Sequence, residues 1–372
     1  MKILYLTNVP SPYRVDFFNE LGKHCDLTVL FEKSTSNERN DSWKKYSFKN
    51  FKGYILKGKS IKTDSALTFG MLKFLRDKSY DRIICTNFST ISGIIAIEYM
   101  RLLGRDYYLE SDGGFAKNGS GIKEKFKKHI ISGAKGYFST AEEHDKYYIQ
   151  YGAPKEKIHR YPFTSLFEKD IEAEVPDKST KLNLRKKLDI NEDFVVITVG
   201  RFSYNGGYGK GLDTVIKSAA QFDKSIGFYL IGDKPTEEFI EMKKNLNADN
   251  VHFIDFKNKA DLKEYYKAAD LFVLMTRGDI WGLVINEAMS NGLPVITTNR
   301  CIAGLQLVNN GENGYIIGTE DVSVLTEKIN SILFNGDMEC FSNNSLKIIK
   351  DYTIEAMCVR HMEILNQESE RN

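Results

Sequence analysis

A glycine-rich stretch with two basic side chains is the first segment whose residues could do chemistry. Positions 200–213 read GRFSYNGGYGKGLD, with four glycines inside six residues. Glycine lets backbone N–H groups approach a ligand closely, and a helix expected to begin near Leu212 adds positive potential at its N-terminus. Together with Arg201 and Lys210, these groups indicate a cradle for a phosphate or diphosphate. The alternative is a flexible surface loop with solvated charges.

This loop differs from the two common nucleotide-binding patterns. Tyr204 stands where a Walker A loop has its first glycine, and Gly211 replaces the Ser or Thr that follows the lysine. The stretch is not GxGxxG either, so a nicotinamide dinucleotide site is poorly supported.

A second segment places two acids eight positions apart, at Asp279 and Glu287. Asp279 lies in an expected loop after the apolar run 271–275, where a carboxylate can accept hydrogen bonds from sugar hydroxyls. Glu287 lies in an expected helix among apolar residues, and buried acids are rare unless they are paired or hydrogen-bonded. A ribose diol offers two donors to such a carboxylate. The alternative is that Glu287 faces solvent.

Short apolar runs rich in β-branched and aromatic residues alternate with helical stretches along the chain. This βαβα order predicts an α/β protein with parallel sheets covered on both faces. Ligands of such sheets bind beyond the carboxyl ends of the strands. The expected strands are 3–6, 27–31, 82–86, 107–109, 136–139, 194–199, 227–231, 251–254, 271–275 and 294–297.

The 372 residues suit about two domains, and a polar stretch over 164–189 is interpreted as the linker between two Rossmann-like halves. Residues 1–165 carry 28 Lys and Arg against 18 Asp and Glu, whereas residues 166–372 carry 24 against 32. The basic first half therefore favours an anionic partner.

Several classes of protein are disfavoured. No apolar run approaches the ~18 residues of a membrane span, and the N-terminus does not resemble a signal peptide. The five cysteines are scattered and form no CxxC pair, so neither zinc nor disulfides are indicated. Nucleic acid is not expected as a partner because no reader motif is present. These features favour a cytoplasmic protein.

Residues 117–135 combine six lysines with apolar side chains at helical spacing. A basic amphipathic helix of this kind suits an anionic membrane surface, with Lys123, Lys127 and Lys128 on that side. A solvated face above a core stripe is the alternative.

The two chemistry-bearing segments also carry a family resemblance. Residues 276–289 resemble the E-x7-E signature of the retaining glycosyltransferases of family 4, with Asp279 in place of the first glutamate. The sequence GLPVI at 292–296 resembles the GxPVI strand of that family, and GENGY at 311–315 resembles its glycine turn. Val199-Gly200-Arg201 with Lys210 is similar to its diphosphate loop. The resemblance covers essentially the whole chain and is looser in the N-terminal half.

The resemblance implies a GT-B fold, in which two Rossmann-like domains have parallel sheets facing across a cleft. The implied division is an acceptor-side domain over 1–165, a nucleotide-sugar domain over 166–350, and a C-terminal helix over 351–372 that crosses back to the first domain. It also implies retaining transfer of a sugar from a nucleotide-sugar donor to a glycan or lipid-linked acceptor, with no metal and no cofactor.

Site residues carried over from the family follow the matching motifs. Arg201 and Lys210 would stabilise the departing diphosphate, Asp279 would hold the donor sugar, and Glu287 would hold the ribose. The remaining implied donor contacts come from the backbone at Gly200, Gly209, Gly282 and Leu283.

The N-terminal half departs from the family pattern at several positions. Where many members place a cleft histidine, this chain has Glu110-Ser111-Asp112, so Glu110 or Asp112 is expected to orient the acceptor hydroxyl or contact the donor sugar. Arg14 is expected either to meet an anionic group or to be solvated. His144 is expected at the surface.

The sequence therefore predicts a peripheral membrane glycosyltransferase of polysaccharide biosynthesis, located at the inner face of the membrane. Two alternatives remain: a GT-B-like nucleotide-sugar epimerase or phosphorylase, and a non-catalytic nucleotide-sugar-binding protein.

Overall fold

Parallel strands joined by helices make up both of the compact units into which the chain divides. The structure is a computed structural model that describes residues 1–35, 46–117, 119–336 and 338–367, without the side chains of 204–206. Unit 1 comprises Met1–Ser165 and Thr353–Asn372, and unit 2 comprises Leu166–Tyr352.

Unit 1 is built on a parallel sheet with, among the described residues, seven strands in the order β3-β2-β1-β6-β7-β8-β9. A separate antiparallel pair, β4 and β5, lies between β3 and β6 in sequence. The strands are β1 (Lys2–Thr7), β2 (Asp26–Phe31), β3 (Lys52–Ile55), β4 (Lys59–Lys62), β5 (Ser65–Leu67), β6 (Arg82–Cys85), β7 (Tyr108–Glu110), β8 (Gly136–Ser139) and β9 (Ile158–Arg160).

The helices of unit 1 include one from the C-terminal end of the chain. They are α1 (Pro12–Leu21), α2 (Leu72–Arg76), α3 (Ile91–Leu102), α4 (Ile122–Ile131), α5 (Glu142–Gln150) and α14 (Ile354–Gln367). Helix α14 packs against α1, where its buried Cys358 Sγ lies 3.7 Å from the Phe17 carbonyl oxygen. Phe17 and Phe18 are core residues, as the apolar spacing of α1 indicates.

Unit 2 has a parallel sheet whose described strands follow the order β12-β11-β10-β13-β14-β15. Renumbered within the unit this is 3-2-1-4-5-6, the doubly wound order of a Rossmann fold. The strands are β10 (Phe194–Val199), β11 (Ile226–Gly232), β12 (Val251–Asp255), β13 (Leu271–Leu274), β14 (Val295–Thr298) and β15 (Gly314–Ile317).

The helices of unit 2 cover both faces of this sheet, as central parallel strands require. They are α6 (Lys178–Lys187), α7 (Leu212–Ala219), α8 (Glu237–Asn245), α9 (Lys259–Ala268), α10 (Leu283–Ser290), α11 (Ile302–Leu307), α12 (Val322–Asn330) and α13 (Met338–Ile349). Short 3-10 turns and a π-turn after α12 complete the unit.

One sequence prediction within unit 2 was wrong. The stretch taken as a linker, 164–189, contains helix α6, which lies within unit 2 and packs against α9. Asp177 caps this helix by accepting the Thr180 N–H at 2.7 Å. Arg185 is buried and pairs with Asp270 at 2.5 Å. The helix is polar because the Arg185–Asp270 ion pair helps to hold it in place. A hydropathy profile alone therefore does not reveal it.

The expected α/β class with parallel sheets is confirmed. Within the described ranges no helix is both long enough and apolar enough to cross a membrane.

Candidate functional site

The two chemistry-bearing loops of unit 2 follow neighbouring strands. The glycine-rich loop follows β10 and the Asp279 loop follows β13, and these strands pair in parallel with Val196 opposite Leu271. Here the strand order reverses, because β10 connects onward to β11 on one side while β13 lies on the other. Such a switch point opens a crevice beyond the strand ends, and ligands of doubly wound sheets bind there.

The glycine-rich loop is a single 3-10 segment, Tyr204–Lys210, that leads into α7 through Gly211. Gly211 has φ +70°, and a Cβ added there would lie 1.9 Å from the carbonyl oxygen of Met275 at the end of β13. Only glycine satisfies both the left-handed backbone and this close approach. The helix begins at Leu212, as the sequence predicted, and no side chain caps its N-terminus.

Lys210 forms an ion pair with Asp279, which lies in the neighbouring loop. Its Nζ lies 2.5 Å from Asp279 Oδ2, and the two side chains are 20% and 16% exposed. The other carboxylate oxygen, Oδ1, accepts the backbone N–H of Trp281 at 3.3 Å. The structure therefore brings together two residues that the sequence analysis assigned to different parts of a donor, the diphosphate and the sugar.

A second ion pair, which the sequence analysis missed, fastens the same two loops. Arg277 lies two positions before Asp279 and donates to both oxygens of Asp213 in the first turn of α7, at 2.8 and 3.0 Å. It also donates to Glu320 at 2.7 Å and to the Tyr208 carbonyl oxygen. Burial raises the pKa of the Asp213 carboxyl, but the Arg277 guanidinium outweighs it, so that pKa stays below its usual range.

Two further contacts fix the rest of the loop backbone. Thr276 Oγ1 donates to the Gly209 carbonyl oxygen at 3.0 Å. Asp233, after β11, accepts the Phe202 N–H at 2.5 Å and the Ser203 hydroxyl. Arg201 and Gly200 lie between β10 and this held turn, and both are half-buried. The loop is thus fixed at both ends, unlike the flexible surface loop considered as an alternative.

Glu287 lies in α10, as expected, and does not face open solvent. Its Oε2 accepts the Tyr266 hydroxyl at 3.2 Å. Burial raises the pKa of the Glu287 carboxyl to about 7, although the Tyr266 hydrogen bond and Lys259 lower it in part. A ribose diol that donated to this carboxyl group would favour its ionised form.

The backbone at Gly282 and Leu283 starts helix α10. Gly282 is the N-cap at φ +103°, and no side chain caps the helix. A Cβ at Gly282 would lie 2.7 Å from Cys301 Sγ, so a larger residue does not fit. The Ile285 N–H donates to the Gly282 carbonyl oxygen at 2.9 Å, and the positive end of α10 at Leu283 suits an anionic or hydroxyl group.

In unit 1 the structure corrects the expectations for Arg14 and Glu110. Arg14 is 4% exposed and neither solvated nor open to an outside anion, because its guanidinium pairs with Glu110 and Asp112. Glu110 is fully buried. It accepts hydrogen bonds from Tyr5 at 2.6 Å and Tyr161 at 3.3 Å, so it cannot contact an acceptor directly in this structure.

The expectation of a surface His144 was also wrong. His144 is fully buried beside the Glu110–Asp112 segment, and burial lowers its pKa to about 3. Its Nδ1 accepts the Thr140 backbone N–H at 3.2 Å, so the proton is on Nε2, which donates to Ser111 Oγ at 2.9 Å. Sequence spacing could not show this contact, because 33 residues separate Ser111 from His144.

The apolar side chains of helix α4 lie partly in the core of unit 1 and partly at its surface. Ile130 and Ile131 are buried in the core of unit 1, while Ile122 and Phe126 are 87% and 48% exposed. The lysines singled out by the sequence, Lys123, Lys127 and Lys128, are exposed on the same helix. Glu124 is the only acid of α4, and its carboxylate accepts a hydrogen bond from the Tyr151 hydroxyl.

Clusters of three or more His, Cys, Asp or Glu side chains that could hold a metal do not occur in the described part of the chain.

Comparison with solved structures defines the class of fold. The Anabaena protein HepE, crystallised in complex with UDP, has a TM-score of 0.77 at 18% identity. The comparison covers 100% of this chain and 99% of that one. The fold of this chain, with its two parallel sheets, is therefore of the GT-B class, as the resemblance implied.

Sequence comparisons concern mainly unit 2. Residues 180–347, all within unit 2, match the model of a family described as Glycosyl transferases group 1. The capsular polysaccharide biosynthesis glycosyltransferase CapM of Staphylococcus aureus is 28% identical over 167 residues, or 44% of this chain and 43% of that protein. An uncharacterized glycosyltransferase of Haemophilus influenzae is 28% identical over 179 residues, or 46% of this chain and 48% of that protein. The chain thus spans about half the length of the curated relatives that it matches, and the match to the group 1 glycosyltransferase model lies entirely within unit 2.

Proposed function

We propose that this protein is a retaining glycosyltransferase that moves a sugar from a nucleotide-sugar donor to a glycan or lipid-linked acceptor in polysaccharide biosynthesis. The observation that carries the proposal is the Lys210–Asp279 contact at the switch point of unit 2, inside a domain of the group 1 glycosyltransferase type. A cation for the diphosphate and an acid for the sugar hydroxyls are held side by side there.

The donor is assigned to unit 2 by the chemistry of its groups. Lys210 and Arg201 provide positive charge beside a helix N-terminus, which suits a diphosphate. Asp279 and the N-terminal backbone of α10 suit the sugar and its phosphate, and Glu287 suits the ribose. HepE has been crystallised with UDP-glucose, which supports a nucleotide-sugar donor for this chain.

Charge development explains how this site accelerates transfer. Breaking the bond between sugar and diphosphate leaves negative charge on the diphosphate and positive, oxocarbenium-like charge on the sugar. Preorganised cations that meet the negative charge are the largest expected contribution to the rate. The same cations take the role that a metal ion plays elsewhere, so we expect turnover to persist in a chelator.

The acceptor is assigned to unit 1, where Asp112, and not Glu110, reaches the surface, with its side chain 26% exposed. The alternative family position, Glu110, is closed off by its hydrogen bonds. The exposed apolar and basic side chains of α4 suit the interface of an anionic bilayer, where lysines meet lipid headgroups and Ile122 and Phe126 enter the acyl boundary. We therefore place the protein at the cytoplasmic face of a membrane.

The test of the catalytic proposal is nucleotide release from a panel of UDP-, GDP-, ADP- and dTDP-sugars, with bacterial membrane lipid extract as acceptor and EDTA present. Lys210→Ala is the test variant. Lys224→Ala is its control, because Lys224 is 81% exposed and lies in the same unit. The proposal expects release of one nucleotide that depends on lipid and is lost only in Lys210→Ala. Equal release by wild type and Lys210→Ala, or no release from any donor, contradicts it.

The membrane proposal has its own test, which does not need catalysis. Wild type is sedimented with vesicles of phosphatidylcholine, with and without 40% phosphatidylglycerol. We expect binding only to the anionic vesicles, and loss of binding in Ile122→Asp and in Lys123→Glu/Lys128→Glu. Lys224→Glu/Lys244→Glu, at two exposed positions of unit 2, makes the same change in net charge as the double variant and serves as control. Equal binding by all variants would rule out α4 as the contact.

A further inference from the structure

A buried network of charged groups lies under Asp112 in unit 1. Arg14 donates through Nη1 to Glu110 and through Nη2 to Asp112. The side chains of Glu110 and Arg14 are 0% and 5% exposed, while that of Asp112 is 26% exposed. Asp112 is therefore the only acid of this network at the surface of the described part of unit 1.

The geometry of arginine makes the two acids depend on each other. A guanidinium is planar and presents its donors at fixed angles. When Glu110 fixes the direction of Nη1, it also fixes Nη2 and the carboxylate that Nη2 binds. Tyr13 donates to the second oxygen of Asp112 at 2.7 Å. The orientation of Asp112 is thus set from below by Glu110 and Arg14 and from the side by Tyr13.

Helix α14 contributes His361 as a further neighbour of Glu110. Its ring is fully buried between Phe138, at 4.6 Å, and Phe17, at 4.8 Å. Nδ1 lies 2.7 Å from the Met357 carbonyl oxygen and Nε2 lies 3.5 Å from Glu110 Oε2. Nδ1 therefore donates to the Met357 carbonyl oxygen, while Nε2 faces Glu110 at a distance longer than a good hydrogen bond.

The charges of the network are concentrated on Arg14 and the two acids. Two carboxylates, Glu110 and Asp112, face the Arg14 guanidinium, and the His361 ring lies beside Glu110. The remaining polar neighbours are the hydroxyls of Tyr5, Tyr13 and Tyr161. Burial raises the pKa of the Glu110 carboxyl, but Arg14 and His361 outweigh it, so that pKa lies well below its usual range.

Stability alone does not account for such a network. Replacing a buried ion pair by well-packed apolar residues is often neutral or stabilising, because desolvation offsets the Coulomb attraction. The charges of the network lie at the carboxyl end of β7, next to Asp112, which is the one acid of the network that reaches the surface. This arrangement is accounted for if the orientation of Asp112 is what the network serves.

We propose that Glu110 and His361 are positioning residues, which hold the Arg14 guanidinium so that the Asp112 carboxylate accepts a hydrogen bond from a hydroxyl of the sugar acceptor. The proposal rests on the glycosyltransferase function proposed above and adds the part that helix α14 plays in it. Asp112 touches the substrate, whereas Glu110, Arg14 and His361 act through it.

The test compares variants that preserve charge or packing but disturb the hydrogen bonds that connect Glu110, Arg14 and Asp112. Arg14→Lys retains the charge and loses the planar pair of donors. His361→Gln keeps a polar side chain near Glu110 and loses the imidazole ring, and Tyr5→Phe removes one hydroxyl with little change in packing. Ile364→Val is the control, because Ile364 is buried in α14 outside the network. Each variant is assayed for acceptor kcat and KM and for binding of the donor nucleoside diphosphate.

We expect the three network variants to lower kcat/KM for the acceptor, by about fivefold for Tyr5→Phe and more for the others. Donor nucleotide affinity should remain within twofold of wild type, since that site lies in unit 2. In Asp112→Asn, Arg14→Lys should have little additional effect. A merely structural network predicts instead that Arg14→Lys has wild-type kinetics, because the charge is kept.

The outcomes separate this inference from the function on which it rests. Wild-type acceptor kinetics in Tyr5→Phe and Arg14→Lys, with an active wild type, overturn the positioning role and leave the glycosyltransferase proposal standing. A wild type that neither binds a donor nucleotide nor transfers a sugar overturns both. If His361→Gln does not fold, Tyr5→Phe and Arg14→Lys still decide the matter.

Discussion

Lys210 Nζ and Asp279 Oδ2 are 2.5 Å apart, which joins the loop after β10 to the loop after β13 by an ion pair. The donor groups assigned to these residues, a diphosphate and a sugar, are adjacent in any nucleotide sugar. The ion pair therefore orients each side chain before the donor arrives, and a bound donor competes with Asp279 for the Lys210 ammonium.

The first prediction concerns this competition. Asp279→Asn removes the negative charge that competes for the Lys210 ammonium, so a nucleoside diphosphate should bind at least as tightly as to wild type. Turnover should fall about 10- to 100-fold, because a hydrogen bond to a charged group contributes roughly 1.5–3 kcal/mol. Calorimetric titration with the diphosphate and steady-state rates measure the two effects. Weaker diphosphate binding together with normal turnover would contradict the assigned roles.

The second prediction concerns the clamp formed by Arg277. Arg277→Met leaves the buried Asp213 carboxylate without its main partner, which should lower the free energy of unfolding of unit 2 by about 1–3 kcal/mol. Glu320→Gln is the matched control. Glu320 is 63% exposed, and exposed ion pairs contribute about 0–1 kcal/mol. Urea unfolding checks both variants, and equal losses in the two would show that Asp213 is not the partner that matters.

The third prediction concerns the backbone of the glycine-rich loop. Gly211→Ala places a Cβ against the Met275 carbonyl oxygen in a left-handed conformation, so we expect a loss of roughly 1–3 kcal/mol in stability. Diphosphate binding should weaken as well, because Lys210 precedes this residue. Gly278→Ala, in the facing loop, meets nothing within 4 Å and should stay within about 0.5 kcal/mol of wild type. Thermal unfolding distinguishes the two substitutions.

The fourth prediction concerns the pH dependence at Glu287. Its pKa is raised to about 7 by burial, and a ribose diol donates to the ionised form. Donor binding therefore favours ionisation, so donor affinity should rise with pH up to about 7, by at most tenfold per pH unit, and then level off. Glu287→Gln should flatten this dependence, whereas Glu241→Gln, at an exposed position of α8, should retain it.

Stability provides an independent check on Glu287. Between the ordinary pKa of a glutamate and about pH 7, the unfolded chain has lost the proton that the folded chain still holds. The contribution of Glu287 to stability therefore falls as the pH rises through this window. Glu287→Gln should gain stability over wild type at pH 8 relative to pH 5. A difference that does not change with pH would contradict the raised pKa.

Local sequence information was enough for much of the fold and of the donor site. Apolar runs of three to six residues marked most of the parallel strands, and glycines marked the loop and the start of α7 at Leu212. The short edge strands β3 and β9 were not predicted, because they are polar and partly exposed. Helix α6 escaped because ion pairs with distant residues help to hold it.

The contacts that could not be predicted join residues far apart in the sequence. Arg277 reaches Asp213 over 64 positions, and Arg14 reaches Glu110 over 96. Charged residues usually lie at the surface, so a sequence gives no reason to pair them inside a unit. The burial of Glu110 and His144 follows from the meeting of β7, α1 and α5, which only the structure shows.

The central claim is that Lys210 in unit 2 binds the diphosphate of a nucleotide-sugar donor. Its most direct test is equilibrium binding of nucleoside diphosphates and the matching monophosphates of uridine, guanosine, adenosine and thymidine to wild type, Lys210→Ala and Lys224→Ala. For one base, wild type and Lys224→Ala should bind the diphosphate at least tenfold more tightly than the monophosphate, and Lys210→Ala should bind both alike. A preference for the diphosphate that persists in Lys210→Ala, or no binding of any diphosphate to wild type, would contradict the account.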